Sequence, residues 1–66
     1  MKIQLNGESR DIPPNSTAQD LVDLLELAGK RLAMEVNREI VPRTSYTEHA
    51  LHEGDTVEIV HAIGGG

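Results

Sequence analysis

Thr56-Val57-Glu58-Ile59-Val60-His61-Ala62-Ile63 is the stretch that decides the fold, and Gly64-Gly65-Gly66 follows it directly. A run rich in valine and isoleucine, with apolar groups at alternate places, reads as a strand. Val57, Ile59, His61 and Ile63 form one face, and Thr56, Glu58, Val60 and Ala62 form the other. Val60 and Ala62 make the second face partly apolar. A central strand covered on both sides has that pattern, and so does a sheet face that docks a partner. The glycines put a terminal carboxylate out in solvent. Extended, three residues reach roughly 10 Å at about 3.3–3.6 Å each. Lacking Cβ atoms, they fit a channel too narrow for any side chain. Coupling to a nucleotide would turn such a carboxylate into an acyl-adenylate, open to attack by sulfur or an amine. The ordinary alternative is a plain disordered end.

Upstream, His52-Glu53-Gly54-Asp55 is a turn with glycine in the left-handed position. The segment 43–51 has no clear period. It accommodates a short helical turn, with Tyr46 and Leu51 facing inward. Leu32 to Val36 reads as a strand with Leu32, Met34 and Val36 on one face. Asn37-Arg38-Glu39 turns the chain, and Ile40-Val41 is a short strand halted by Pro42.

At the start, Ile3 and Leu5 alternate with Lys2, Gln4 and Asn6, the period of a half-buried strand. Asn6-Gly7 is a strong hairpin signal, since a type I′ turn needs positive φ at both central residues. Glu8 to Ile12 returns, with Arg10 and Ile12 on one face, until Pro13-Pro14. A helix follows. Ser16 with Gln19, or Thr17 with Asp20, has capping-box spacing. Ala18, Leu21, Val22 and Leu25 recur at helical intervals as a core stripe, widened by Leu24 and Ala28. Gln19, Asp20, Asp23 and Glu26 are on the wet side. Asp20 and Asp23 are placed near the positive end of the helix dipole, and Gly29 at the C-cap.

One helix across a sheet is α+β. If the first and last strands form a parallel central pair, the arrangement is the ubiquitin-like β-grasp, a mixed four- to five-stranded sheet. Residues 1–63 form the domain and 64–66 a flexible tail. At 66 residues such a domain buries only about 60% of its unfolded surface, which disfavours a deep catalytic cleft and favours a surface for larger partners.

The chain has no cysteine, so it has no disulfide, thiolate metal site or cysteine nucleophile. Any sulfur it handles rides on another group. Met1 to Asn6 lacks the apolar run of a signal peptide, and no stretch is long enough to span a membrane, so the cytoplasm is the expected location. Eleven acids against six bases leave a net charge of −5. That argues against nucleic acid, whose phosphates need Lys and Arg. It favours a partner with a basic docking surface, unless the acidity only maintains solubility.

Other constellations carry little. His49, His52 and His61 have no metal-motif spacing and no cysteine beside them, so ordinary surface histidines are the simpler reading. Ser45, His49 and Asp55 are the components of a triad with nothing to orient them. Asp20, Asp23 and Glu26 are explained by a solvated helix face. Gly64-Gly65-Gly66 precedes no helix and so is no phosphate loop. No active site is expected within the chain.

Three pieces, Met1-Lys2-Ile3-Gln4-Leu5-Asn6-Gly7, Val36-Asn37-Arg38-Glu39-Ile40-Val41-Pro42-Arg43, and Glu53-Gly54-Asp55 with the strand to Ile63 and Gly65-Gly66, carry a family resemblance. The chain resembles the ThiS family, sulfur carriers of thiamine (thiazole) biosynthesis with a ubiquitin-like β-grasp fold. The turn and the diglycine are shared with the small subunit of molybdopterin synthase, which stands as the alternative together with a ubiquitin-like modifier or interaction module. Asn37 and the Ile40-Val41-Pro42-Arg43 stretch favour ThiS. Gly64 adds a third glycine to the two the motif requires.

The resemblance implies a protein co-substrate with no catalytic residues and no bound cofactor or metal. A ThiF-like adenylyltransferase would adenylate the Gly66 carboxylate with ATP and magnesium. A persulfide sulfur donor would convert it to a thiocarboxylate, and a ThiG-like thiazole synthase would take the sulfur. Gly64 and Gly65 would thread into the partner's active site. Val60, Ala62 and Ile63, on the strand leading to the tail, and Arg43 are the candidate docking residues.

Overall fold

The computed structural model describes residues 1–61. Strands β1 (Lys2–Leu5) and β2 (Glu8–Asp11) form an antiparallel hairpin, and helix α1 spans Ala18–Leu24. A second antiparallel hairpin joins β3 (Leu32–Val36) to β4 (Glu39–Val41), and a 3₁₀ turn covers Arg43–Ser45. Strand β5 (Thr56–His61) comes last. The sheet order is β2-β1-β5-β3-β4, with β5 parallel to β1 and antiparallel to β3. This is the expected β-grasp arrangement, with five strands, and it puts β5 at the centre of the sheet.

The first hairpin turns as its sequence predicts, and the second turn is one residue shorter than expected. Asn6 and Gly7 have φ of 50° and 84°, the left-handed pair a type I′ turn requires. Asn37 and Arg38 do the same at 52° and 70°, so the second turn is two residues long and Glu39 already belongs to β4. The first hairpin differs from the expected alternation. Every residue of β2 is exposed, Arg10 included, and only Ile12 beyond its end is buried. As the edge strand β2 contributes no residue to the buried cluster.

The core lies between one face of the sheet and α1. Ile3, Met34, Val36, Val41, Val57 and Ile59 come from the sheet, Ala18, Leu21 and Val22 from the helix, and Ile12, Tyr46 and Leu51 close the edges. Tyr46 and Leu51 face inward as expected, each 3% exposed. Burial pushes the Tyr46 phenol above its ordinary pKa, and the nearby Arg43 charge opposes that rise.

Helix α1 begins with the Thr17–Asp20 capping box. Thr17 Oγ1 accepts from the Asp20 N–H at 3.2 Å, and Asp20 Oδ2 accepts from the Thr17 N–H at 2.9 Å. Ser16, the other candidate, instead donates its hydroxyl to the Pro13 carbonyl at 2.6 Å. The N–H groups of Ala18 and Gln19 donate to the carbonyls of His49 and Tyr46. The aperiodic segment 43–51 is therefore pinned to the helix N-terminus, satisfying donors that would otherwise lack partners.

The helix ends earlier than its apolar spacing implies. Glu26 has φ of 60°, its N–H donates to the Asp23 carbonyl, and the Leu27 N–H reaches back to the Val22 carbonyl. That pair of bonds is a Schellman motif with Glu26 in the place usually held by glycine. Gly29 consequently lies in the following turn rather than at the cap. Ala28 lies beyond the helix, and Leu24 is 46% exposed, so neither widens the core stripe. In a helix this short Asp23 stands near the C-terminal end, away from the positive pole assigned to it. A left-handed non-glycine residue costs about 1–2 kcal/mol. Glu26→Gly is therefore expected to raise the stability to urea unfolding by about 0.5–1 kcal/mol, and a loss of stability would refute the motif.

Candidate functional site

The site is β5 and what holds it. The described part ends at His61, paired with Leu32 of β3. Ala62, Ile63 and the three glycines lie outside the described residues, as does the proposed boundary between residues 63 and 64.

Two asparagines, one from each hairpin turn, clamp β5 from opposite sides. Asn37 donates its backbone N–H to the Thr56 carbonyl at 2.7 Å and accepts the Thr56 N–H on Oδ1 at 3.0 Å. Its Nδ2 donates to Asp55 Oδ1 at 3.0 Å. On the other side Asn6 accepts the Ile59 N–H on Oδ1 at 2.8 Å and donates Nδ2 to the Ile59 carbonyl at 3.1 Å. The Asn6 amide thus continues the β1 ladder with a side chain after the backbone has turned away. Asn37 fixes where β5 starts, and Asn6 fixes the half that leads toward the glycines.

Two further residues of the motif serve the same strand. Asp55 Oδ2 accepts the His52 N–H at 2.8 Å, closing the turn before β5, and Glu53 Oε1 accepts the Lys2 N–H at 2.9 Å. The sequence carries only a partial signal of the clamp. An asparagine opens the turn of each hairpin, and those hairpins flank one strand. What stayed hidden was that the two side chains reach the same strand.

Asn6→Ala removes both bonds to Ile59 and puts alanine where φ is 50°. It is expected to cost about 1–3 kcal/mol. Asn6→Gly keeps the turn and loses only the side-chain bonds, so it should cost less. Equal losses in urea titrations would mean the amide contributes nothing.

The face of the sheet opposite α1 is uncovered among the described residues. Val60, on that face, is 69% exposed, and Ile40 of β4 is 76% exposed. The second face of β5 is therefore an open surface, not the inside of a doubly covered strand. Ala33 stands opposite Val60, and Glu35 opposite both Glu58 and Ile40.

Arg43, the other docking candidate, is exposed and donates Nη2 to the Lys30 carbonyl. It ties the 3₁₀ turn to the loop before β3, beside the end of the sheet where β5 finishes. The structure brings Arg43 to that end of the sheet but does not place it on the open face with Val60.

The remaining candidates stay apart. Among the described residues no three His, Asp or Glu side chains are grouped to hold a metal. His49 is half-buried, while His52 and His61 are exposed. The Asp55 carboxylate is engaged by His52 and Asn37, with His52 Nδ1 at 3.9 Å. No helix among the described residues is long and apolar enough to cross a membrane.

A five-stranded sheet gripping one helix, with its central strand running out toward a diglycine, defines a ubiquitin-like β-grasp carrier class. The model of the ThiS family matches residues 3–66. The sulfur carrier protein ThiS of Bacillus subtilis is 38% identical over 97% of this chain and 98% of its own length. The crystal structure of the thiamine biosynthesis protein ThiS from Geobacter metallireducens superposes with a TM-score of 0.84 at 25% identity, covering 100% of both chains. The thiazole synthase of Paramagnetospirillum magneticum is 42% identical over the whole chain, which spans 20% of that protein's length. The chain belongs to the ThiS family.

Proposed function

We propose that this protein carries sulfur on its C-terminal carboxylate for thiazole formation in thiamine biosynthesis, as a co-substrate of partner enzymes in the cytoplasm. The observation that carries the reading is the family match, which runs through the glycine tail to residue 66. The same match favours thiamine over the molybdopterin-synthase alternative. The central position of β5 supports it physically, because a clamped strand gives a threading tail a fixed base.

The chemistry begins with the Gly66 carboxylate, ionised at neutral pH. Its oxygen attacks the α-phosphorus of ATP on a ThiF-like adenylyltransferase with magnesium, and pyrophosphate leaves. The terminal sulfur of a persulfide attacks the acyl carbon, and AMP leaves. Cleavage of the sulfur–sulfur bond by a thiol yields the thiocarboxylate. A ThiG-like thiazole synthase then takes the sulfur into the ring, and water restores the carboxylate. Gly64 and Gly65 thread the partner's channel. The sheet face bearing Val60, together with Ala62 and Ile63 of the segment that leads to the tail, docks the partner, with Arg43 at its margin. The likeness to a fifth of a thiazole synthase supports an enzyme of that kind as a partner.

Intact-mass spectrometry tests this. Incubation with ATP, the adenylyltransferase and a sulfur donor should exchange one carboxylate oxygen for sulfur. An unchanged mass, where a control carrier is converted, counts against the proposal.

A further inference from the structure

Glu35 and Glu58 stand directly opposite each other across the β3–β5 ladder. Both are exposed and, with Met34, Val36, Val57 and Ile59 turned inward, both point out of the open face. Facing Cβ atoms in such a pair are about 4.5–5.5 Å apart, where like charges destabilise a sheet. Among the described residues the one contact within 4 Å between a basic and an acidic side chain is His52–Asp55, so no Lys or Arg stands within that distance of either carboxylate. Apolar groups frame the two acids. Ile40 faces Glu35 from β4, and the Val60–Ala33 pair forms the next rung toward the end of β5. In the free protein this pair works against the fold, on a surface that already exposes two large apolar side chains.

We propose that this face seats a Lys or Arg side chain of the adenylating partner between Glu35 and Glu58, with apolar partner groups over Val60, Ile40 and Ala33. The proposal rests on the carrier reading, which supplies the partner. Two observations select this occupant. The charge of the Glu35–Glu58 rung is of one sign, and Lys2, the exposed cation of β1, stands at the other end of the sheet, so a partner cation complements the rung and an acidic surface is repelled. The face is also continuous with the end of β5, so an enzyme that takes the tail meets Val60 before it reaches the glycines. Repulsion between the carboxylates in the free protein becomes attraction to the shared cation in the complex.

The experiment compares Glu58→Gln and Glu35→Gln with Glu48→Gln, an exposed acid in the 43–51 segment. Melting temperature is read on the free proteins. Affinity for the ThiF-like adenylyltransferase of the same organism is read by calorimetry. Each variant on the face should melt about 2–4 °C higher and bind about tenfold more weakly, while Glu48→Gln changes neither. Glu58→Lys should melt higher still, by pairing with Glu35, and bind weakest. Lower melting temperatures for the face variants, or unchanged affinity while the wild type is bound and converted to the thiocarboxylate, would overturn the proposal and leave the carrier reading standing. A wild type that the enzyme neither binds nor converts would overturn both.

Discussion

Met34→Ala is expected to lower the stability of the protein by about 2–5 kcal/mol. Met34 is 0% exposed and lies in β3 opposite both Ile59 of β5 and Val41 of β4. Truncation leaves a cavity at the centre of a sheet only five strands wide. A chain of this length has roughly 3–10 kcal/mol in total, so the variant loses a large share of its stability and should unfold at a much lower urea concentration. Met34→Leu conserves volume and should cost less than about 1.5 kcal/mol. The chain has one tyrosine and no tryptophan, so the fluorescence of buried Tyr46 reports unfolding in urea without a label. A Met34→Ala protein as stable as wild type would mean the core does not hold β5 as described. Where Met34→Ala unfolds the domain, transfer of sulfur should fall with the folded fraction.

Deleting Gly66 is expected to do the reverse. Conversion to a thiocarboxylate should be abolished, because the shortened tail presents its carboxylate one residue short of the reacting position. Stability in urea should stay within about 0.5 kcal/mol of wild type, since the described core runs from Ile3 to Ile59. Both measurements are needed on one preparation. Loss of conversion with the fold intact assigns the chemistry to the tail. Unfolding on deletion would contradict the separation of domain and tail.

Strand periodicity in Leu32 to Val36 and Thr56 to His61 was legible because alternate side chains fall on one buried face. The turns at Asn6-Gly7 and Gly54 were legible because few residues accept their backbone geometry. The end of α1 was not, because Glu26 occupies a left-handed cap position where Gly29 looked the natural choice. The edge position of β2 was hidden for another reason. Its alternation is that of any half-buried strand, and only the sheet order shows it at the edge, with Arg10 exposed. Segment 43–51 has no period because its backbone answers to the helix N-terminus rather than to a ladder.

For the site, alternation with Val57 and Ile59 puts Val60 on the second face of β5, and its exposure, not its spacing, shows that face to be open among the described residues. Arg43 was identified by its place in the distinctive stretch, and it bonds the Lys30 carbonyl. The Asn6 and Asn37 clamps and the Glu35–Glu58 pair needed the register. Each depends on which residue of another strand stands opposite, and no local pattern carries that information.

The most direct test of sulfur carriage remains the mass of the intact protein after incubation with ATP, magnesium, the ThiF-like adenylyltransferase and a persulfide donor. Sulfur carriage predicts a product in which one oxygen of the Gly66 carboxylate is replaced by sulfur, formed by wild type and not by the chain lacking Gly66. A wild-type protein that keeps its mass while a control carrier is converted in the same mixture, or a truncated chain converted as readily as wild type, would contradict it.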